Sequence, residues 1–136
     1  MSRLVLVADE DPTFARFLER RLERHQWAVL RAASVETAAR LWMEQQPALV
    51  IITDNLAGES SDRILELLDP AVACYLPQVI LLENPRWKPS QPSLWNDYLG
   101  VHRLVLPISP RQLLQAVGDA LGCTIDTVHH AEAVTA

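Results

Sequence analysis

The sequence predicts an α/β fold: a five-stranded, doubly wound parallel sheet with helices on both faces. The first indication is that four segments are apolar nearly throughout, as strands are when both faces of their sheet are covered. The second is that amphipathic helical patterns alternate with these segments, which favours crossover helices between parallel strands. A fifth, more mixed segment at 27–32 suits an edge strand. The four apolar segments are residues 4–7, 49–52, 79–82 and 104–106.

The first three helices are predicted over residues 12–25, 35–46 and 62–68, where apolar side chains recur every three to four residues. Ser34 is suited to cap the second helix, and Pro47 ends it. Each of these helices follows a predicted strand, so each would carry the chain back along the sheet.

The fourth helix has the clearest boundaries. Ser109 and Gln112 have the spacing of a capping box, Pro110 lies at the first helical position, and Gly122 ends the pattern. We therefore predict a final helix over residues 110–121.

The crossover between the fourth and fifth strands breaks the helical rhythm. Residues 84–97 contain Pro85, Pro89 and Pro92, and proline lacks the backbone N–H that a helix interior needs. We expect a loop there, with at most one short helix around residues 93–98.

Composition limits the classes of function. The 136 residues form most simply one domain, which we assign to residues 1–123, with 124–136 as a flexible tail or the start of a linker. The net charge of −5 gives no support to nucleic-acid binding, and no apolar run reaches the roughly 20 residues of a membrane helix. Cys74 and Cys123 lack CxxC spacing, so we expect reduced thiols and a cytoplasmic protein.

Carboxylates gather where the predicted strands end. Asp9 and Glu10 follow the first strand, Thr53 and Asp54 end the third, and Glu83 follows the fourth. In a doubly wound sheet these carboxyl ends lie at one edge, which is where ligands bind. The sequence after the first strand lacks a glycine-rich phosphate-binding turn, so we do not expect a dinucleotide site.

Four segments, in this order, resemble the receiver domain of bacterial two-component response regulators, which has a flavodoxin-like fold. The likeness extends from about residue 4 to residue 122. It covers the strand that leads into the acidic pair, the third strand with its following loop, the approach to the fifth strand, and the final helix. These segments read LVLVADEDP, PALVIITDNLAG, YLGVHRLVLPIS and PRQLLQAVGDALG.

The resemblance implies a set of functional groups. In that family an aspartate at the end of the third strand accepts a phosphoryl group from a histidine kinase, and an acidic pair, here Asp9 and Glu10, holds Mg²⁺. A serine or threonine after the fourth strand binds the phosphoryl oxygens, and a lysine before a proline after the fifth strand neutralises charge. The resemblance also implies a cis bond between Leu106 and Pro107.

Three of these five groups are missing from the sequence. Counting without gaps places Thr53 at the phosphoacceptor position and Leu106 at the lysine position. The hydroxyl position falls on Glu83, or on Leu82 if the alignment shifts by one. Because threonine cannot form an acylphosphate, we predict a degenerate receiver that is not an enzyme, is not phosphorylated in the usual way and needs no cofactor.

Two alternatives stay open. A β-bulge at the end of the third strand would turn Asp54 toward Asp9 and Glu10, so that Asp54 accepts the phosphoryl group with Mg²⁺ at that pair. Asp9, Glu10 and Glu83 would instead converge on a metal ion, either as a relict site or as the site of a metal-dependent enzyme.

The expected partners are proteins: an effector domain, a kinase, another regulator, or a second copy of the chain in a homodimer. Trp87, Trp95 and Tyr98 lie in or beside the proline-rich crossover and are candidates for the contact surface, because tryptophan and tyrosine are favoured interface anchors. The alternative for Trp95 and Tyr98 is that both pack inward in place of the missing helix. No contact with nucleic acid or a membrane is expected.

Overall fold

The computed structural model describes residues 3–69, 76–87 and 92–122. In chain order the elements are β1 (Leu4–Ala8), α1 (Thr13–Glu23), β2 (Ala28–Ala32), α2 (Val35–Gln45), β3 (Leu49–Thr53), β4 (Asn55–Leu56), β5 (Glu59–Ser60), α3 (Asp62–Leu67), β6 (Gln78–Glu83), a 3₁₀ helix (Leu94–Asp97), β7 (Val101–Val105) and α4 (Pro110–Leu121). Cys74, Cys123 and the predicted tail at 124–136 lie outside the described residues.

Five of the strands form a parallel sheet in the order β2-β1-β3-β6-β7, with β2 at one edge as predicted. Side chains alternate between the two faces of such a sheet, and each face is covered. Val5 and Val7 pack with α1 and α4 on what we call the α1/α4 face. Leu6 and Ala8 pack with α2, α3 and the 3₁₀ helix on the α2/α3 face. The predicted doubly wound fold is therefore confirmed.

The predicted boundary of the last helix is also confirmed. The Ser109 side chain accepts a hydrogen bond from the backbone of Gln112, and the Gln112 side chain accepts one from the backbone of Ser109, which is the capping box. Gly122 ends α4 in the left-handed conformation, with φ of 69°. The Leu106–Pro107 bond just before this helix is cis, as the resemblance implied.

Within its described residues, the crossover from β6 to β7 contains only the 3₁₀ helix, in agreement with the proline content. The ring of Trp95 covers the α2/α3 face instead of a longer helix. It is 1% exposed, it stacks on Trp42 at 6.4 Å between ring centroids, and its Nε1 donates to the Ser61 hydroxyl at 3.0 Å. Tyr98 meets the Trp95 ring edge-on at 5.5 Å and donates its hydroxyl to the carbonyl of Pro77.

The assignment of Trp95 to a contact surface is therefore wrong, because a side chain that is 1% exposed cannot reach a partner. Tyr98 is half buried against the same cluster. Both rings pack inward, as the alternative interpretation predicted, because their large apolar area fills the space that a crossover helix would cover.

We predict that Trp95→Ala lowers the free energy of unfolding by about 3–5 kcal/mol, because it opens a large cavity and removes the partner of the buried Ser61 hydroxyl. Leu99→Ala is the control in the same connection, since Leu99 is 80% exposed and such changes stay within about 0.5 kcal/mol. Urea unfolding followed by circular dichroism measures both, and equal losses would contradict the structural role of Trp95.

Candidate functional site at the carboxyl edge of the sheet

Asp9 lies at the carboxyl end of β1 and is nearly enclosed. Its backbone N–H donates to Ala32 O at 3.0 Å, so it continues the ladder between β1 and β2, and its side chain follows Val7 on the α1/α4 face. Its Oδ1 accepts from the backbone N–H of Asp11 at 3.0 Å. Burial raises the pKa of Asp9, and the charges of Asp11 and Glu10 raise it further, against the opposing backbone hydrogen bond.

Glu10 is tied to the loop that follows β3. Its Oε1 accepts from the backbone N–H of Ala57 at 2.6 Å. Ala57 and Gly58 have φ angles of 52° and 87°, so they form the left-handed turn between β4 and β5. The Glu10 carboxylate therefore holds this turn against the end of β1.

Thr53 and Asp54 point to opposite faces at the end of β3. The ladder continues past Thr53, because the backbone N–H of Asp54 donates to Leu82 O at 2.9 Å, and a continuous ladder keeps the alternation of side chains. Thr53 follows Ile51 on the α1/α4 face, and its hydroxyl donates to Asn55 O at 3.2 Å. Asp54 lies on the α2/α3 face, where its Oδ2 accepts from the backbone N–H of Asn84 at 3.0 Å.

The side chain beside Thr53 on the neighbouring strand is Leu82. These two residues are register partners, and Leu82 packs in the core of the α1/α4 face. If Thr53 holds the phosphoacceptor position, the residue beside it is therefore Leu82, the one-residue shift, and not Glu83, which points to the opposite face. Leu106 also packs against the α1/α4 core.

The acidic residues form two separate groups. The neighbouring charge that acts on the Asp54 carboxylate is that of Glu83. The neighbouring charges that act on Asp9 are those of Glu10 and Asp11, in its own loop, and of Arg31. Burial raises the pKa of Asp54, and Glu83 adds to this, against the hydrogen bond from Asn84. The alternative in which Asp9, Glu10 and Glu83 converge on a metal is contradicted, because Asp9 and Glu83 point to different faces of the sheet.

Glu83 is instead neutralised by Arg103, whose Nη1 lies 2.7 Å from its Oε2. Across residues 3–69, 76–87 and 92–122, no three histidine, cysteine or acidic side chains are grouped so that they could hold a metal ion. The sequence did not predict the pairing of Glu83 with Arg103, in the middle of β7, or the hydrogen bond from the backbone of Asn84 to Asp54, because both depend on the register between neighbouring strands.

A cavity of about 270 Å³ opens beside Asp54 on the α2/α3 face. We call it the Asp54 cavity. Trp87, a predicted contact residue, lines it and is half buried. The lining residues are Asp54, Asp62, Leu81, Glu83, Asn84, Pro85, Trp87, Ser93, Trp95 and Val105.

No protein-family model matches the sequence, and no curated protein matches it. Solved structures do match in three dimensions. A response regulator receiver domain protein (CheY-like) from Methanospirillum hungatei JF-1 is 13% identical, with a TM-score of 0.71 over 88% of this chain and 94% of that chain. A response regulator (signal receiver domain) from Bermanella marisrubri is 20% identical, with a TM-score of 0.66 over 89% and 99%. A CheY-like receiver domain from Methylobacillus flagellatus is 14% identical, with a TM-score of 0.65 over 88% and 99%.

The protein has the CheY-like receiver fold. On the α1/α4 face of this receiver fold, the carboxyl edge presents Thr53, Leu82 and Leu106 beside Asp9. The assignment of Thr53 and Leu106 to the phosphoacceptor and lysine positions stays a prediction. Among the described residues, no helix combines the length and apolar composition of a membrane span.

We predict that Asp9→Asn stabilises the receiver fold at pH 7. Because the pKa of Asp9 is raised on folding, the folded state binds the proton more tightly than the unfolded state. The free energy of unfolding therefore falls as the pH rises from the unfolded pKa through the folded pKa of Asp9. Asparagine keeps the acceptor for the backbone of Asp11 and removes the buried charge. The gain should shrink as the pH falls below the folded pKa, where Asp9 is already neutral.

Urea midpoints of the wild type and the variant, measured at a series of pH values from 7 downward, check this sign. Asp119→Asn on α4, whose carboxylate accepts a hydrogen bond from Gln115 one turn earlier in the helix, is the control. A variant that is less stable than the wild type throughout the pH range would contradict the reading of Asp9 as a buried charge.

Proposed function

We propose that this protein is a signalling module of the receiver type that is not phosphorylated on aspartate and acts through contacts with protein partners. It is a regulatory protein and not an enzyme. The observation that supports the proposal is the composition of the carboxyl edge on the α1/α4 face. Thr53, at the end of β3, supplies a hydroxyl there. Leu82 on β6 and Leu106 just after β7 supply aliphatic side chains.

Phosphoryl transfer to a receiver needs a carboxylate nucleophile, a donor for the phosphoryl oxygens and a fixed positive charge. Threonine cannot supply an acylphosphate, and leucine can neither donate a hydrogen bond nor carry a charge. Asp54 is the alternative acceptor, but it lies on the other face, beside Glu83. A phosphoryl group on Asp54 would therefore be repelled by Glu83 and would lie on the opposite face from Asp9.

The residues present do not fit the Mg²⁺ that the resemblance implies. A hard dication needs several oxygen ligands. On the face of Asp9, β3 contributes the Thr53 hydroxyl, which donates to Asn55 O, and contributes no carboxylate. Because this oxygen ligand is missing, we propose that the edge works without a metal cofactor.

Without a phosphoryl group to bias it, the domain changes state only when a partner binds one conformation better than another. We propose an effector domain, a kinase, another regulator or a second copy of the chain as that partner. The net charge of −5 argues against nucleic acid.

Incubation with acetyl phosphate and Mg²⁺, followed by intact mass, tests the absence of phosphorylation. We expect no phosphoryl increment, while a receiver known to react with this donor is labelled in a parallel reaction. An increment that Asp54→Asn abolishes would show that Asp54 is the acceptor and would overturn the proposal.

A Thr53→Asp variant tests the face assignment directly. It adds a carboxylate on the face of Asp9, so Mg²⁺ should raise its melting temperature and leave the wild type unchanged. At ten times the dissociation constant, the gain is about 1.4 kcal/mol. Ala33→Asp, on an exposed loop position, is the matched control for added charge. Equal responses of the wild type and Thr53→Asp would contradict the placement of Thr53.

A further inference from the structure

The Asp54 cavity is distinct from the acidic edge around Asp9. Most of its wall is apolar or aromatic, and the wall residues that matter here are Leu81, Pro85, Trp87, Trp95 and Val105. Its volume of about 270 Å³ lies just below the range of roughly 300–1,000 Å³ for sites that enclose drug-sized ligands. The cavity therefore has the size to receive a single side chain.

Three carboxylates line the cavity, and among the described residues only one of them, Glu83, is paired with a cation. Glu83 pairs with Arg103 at 2.7 Å. Asp62 accepts from the backbone N–H of Leu94 at 2.7 Å and anchors the 3₁₀ helix. Asp54 accepts only backbone hydrogen bonds, among them that from Asn84, and within the described parts of the chain no cationic group pairs with it.

We propose that the Asp54 cavity receives an arginine side chain from a protein partner, with the guanidinium on the Asp54 carboxylate and against the Trp87 indole. A guanidinium is planar and weakly hydrated, so it can bind a carboxylate and stack on an aromatic ring while it leaves water. This inference rests on the proposed function, because it names the chemistry of the partner that such a regulatory module would bind.

The surroundings of the cavity favour a protein over a free small molecule. Val105, on its wall, is 59% exposed, and Leu94, next to the lining residue Ser93, is 42% exposed. Exposed apolar side chains around a pocket for an anchoring residue are typical of protein contact sites. The net charge of −5 also favours a partner with a positive surface.

The test uses acetyl-Gly-Arg-Gly-amide as the probe and the same peptide with citrulline, a neutral isostere, as its control. Binding is followed by NMR shifts of the tryptophan indole N–H groups. We expect saturable binding of the arginine peptide with Trp87 among the shifted signals. Binding of the citrulline peptide should be at least about tenfold weaker, as expected for loss of a charge-assisted hydrogen bond.

Asp54→Asn keeps an oxygen that can accept the hydrogen bond from Asn84 and removes the charge. It should therefore lower the affinity for the arginine peptide about tenfold or more. Asp119→Asn, on α4 and outside the cavity, should leave the affinity unchanged. Three results would each overturn the proposal. They are an arginine peptide that shows no saturable binding, a citrulline peptide that binds equally well, and an Asp54→Asn variant that binds as well as the wild type.

Two further outcomes also count against it. A lysine peptide that binds as tightly as the arginine peptide would remove the guanidinium specificity. A dimer in analytical ultracentrifugation that Asp54→Asn dissociates would make a second copy of the chain the occupant. These measurements contain no phosphodonor, so their failure is distinguishable from a failure of the phosphorylation test.

Discussion

The hydrogen bond from the backbone of Asp54 to Leu82 O is the constraint on which the rest of the edge depends. It continues the parallel ladder one residue past β3, and a continuous ladder sends successive side chains to opposite faces. The hydroxyl of Thr53 therefore lies on the α1/α4 face with Asp9, and the carboxylate of Asp54 lies on the α2/α3 face. A single bulge at this point would have exchanged the two side chains and with them the chemistry of the edge.

The two faces of the edge consequently have different properties. On the α1/α4 face, the carboxylate of Asp9 accepts a backbone N–H, and Thr53, Leu82 and Leu106 on the same face carry no charge. On the α2/α3 face, three carboxylates and two indole rings line a cavity. The α1/α4 face of this edge therefore carries a hydroxyl and aliphatic groups, and the α2/α3 face carries Asp54, which has no cationic partner among the described residues.

The proline-rich crossover determines which side chains pack on the α2/α3 face near β7. A helix between β6 and β7 would cover the outer side of β7, but proline removes the backbone donors such a helix needs. Trp95 and Tyr98 pack on Trp42 and fill the inner part of this space. Val105, which lines the Asp54 cavity together with Trp87, is exposed in the described part of the chain.

The sequence by itself determined the local features of this protein. Apolar runs located the strands, the order of strands and helices predicted the doubly wound sheet, and Ser109, Pro110 and Gly122 marked the last helix, because periodicity and capping depend only on near neighbours. The tertiary structure alone decided that Leu82 rather than Glu83 lies beside Thr53, that Trp95 is buried, and that Arg103 neutralises Glu83. These depend on the register between strands and on how a loop packs, and both are set by contacts between residues that are distant in the chain.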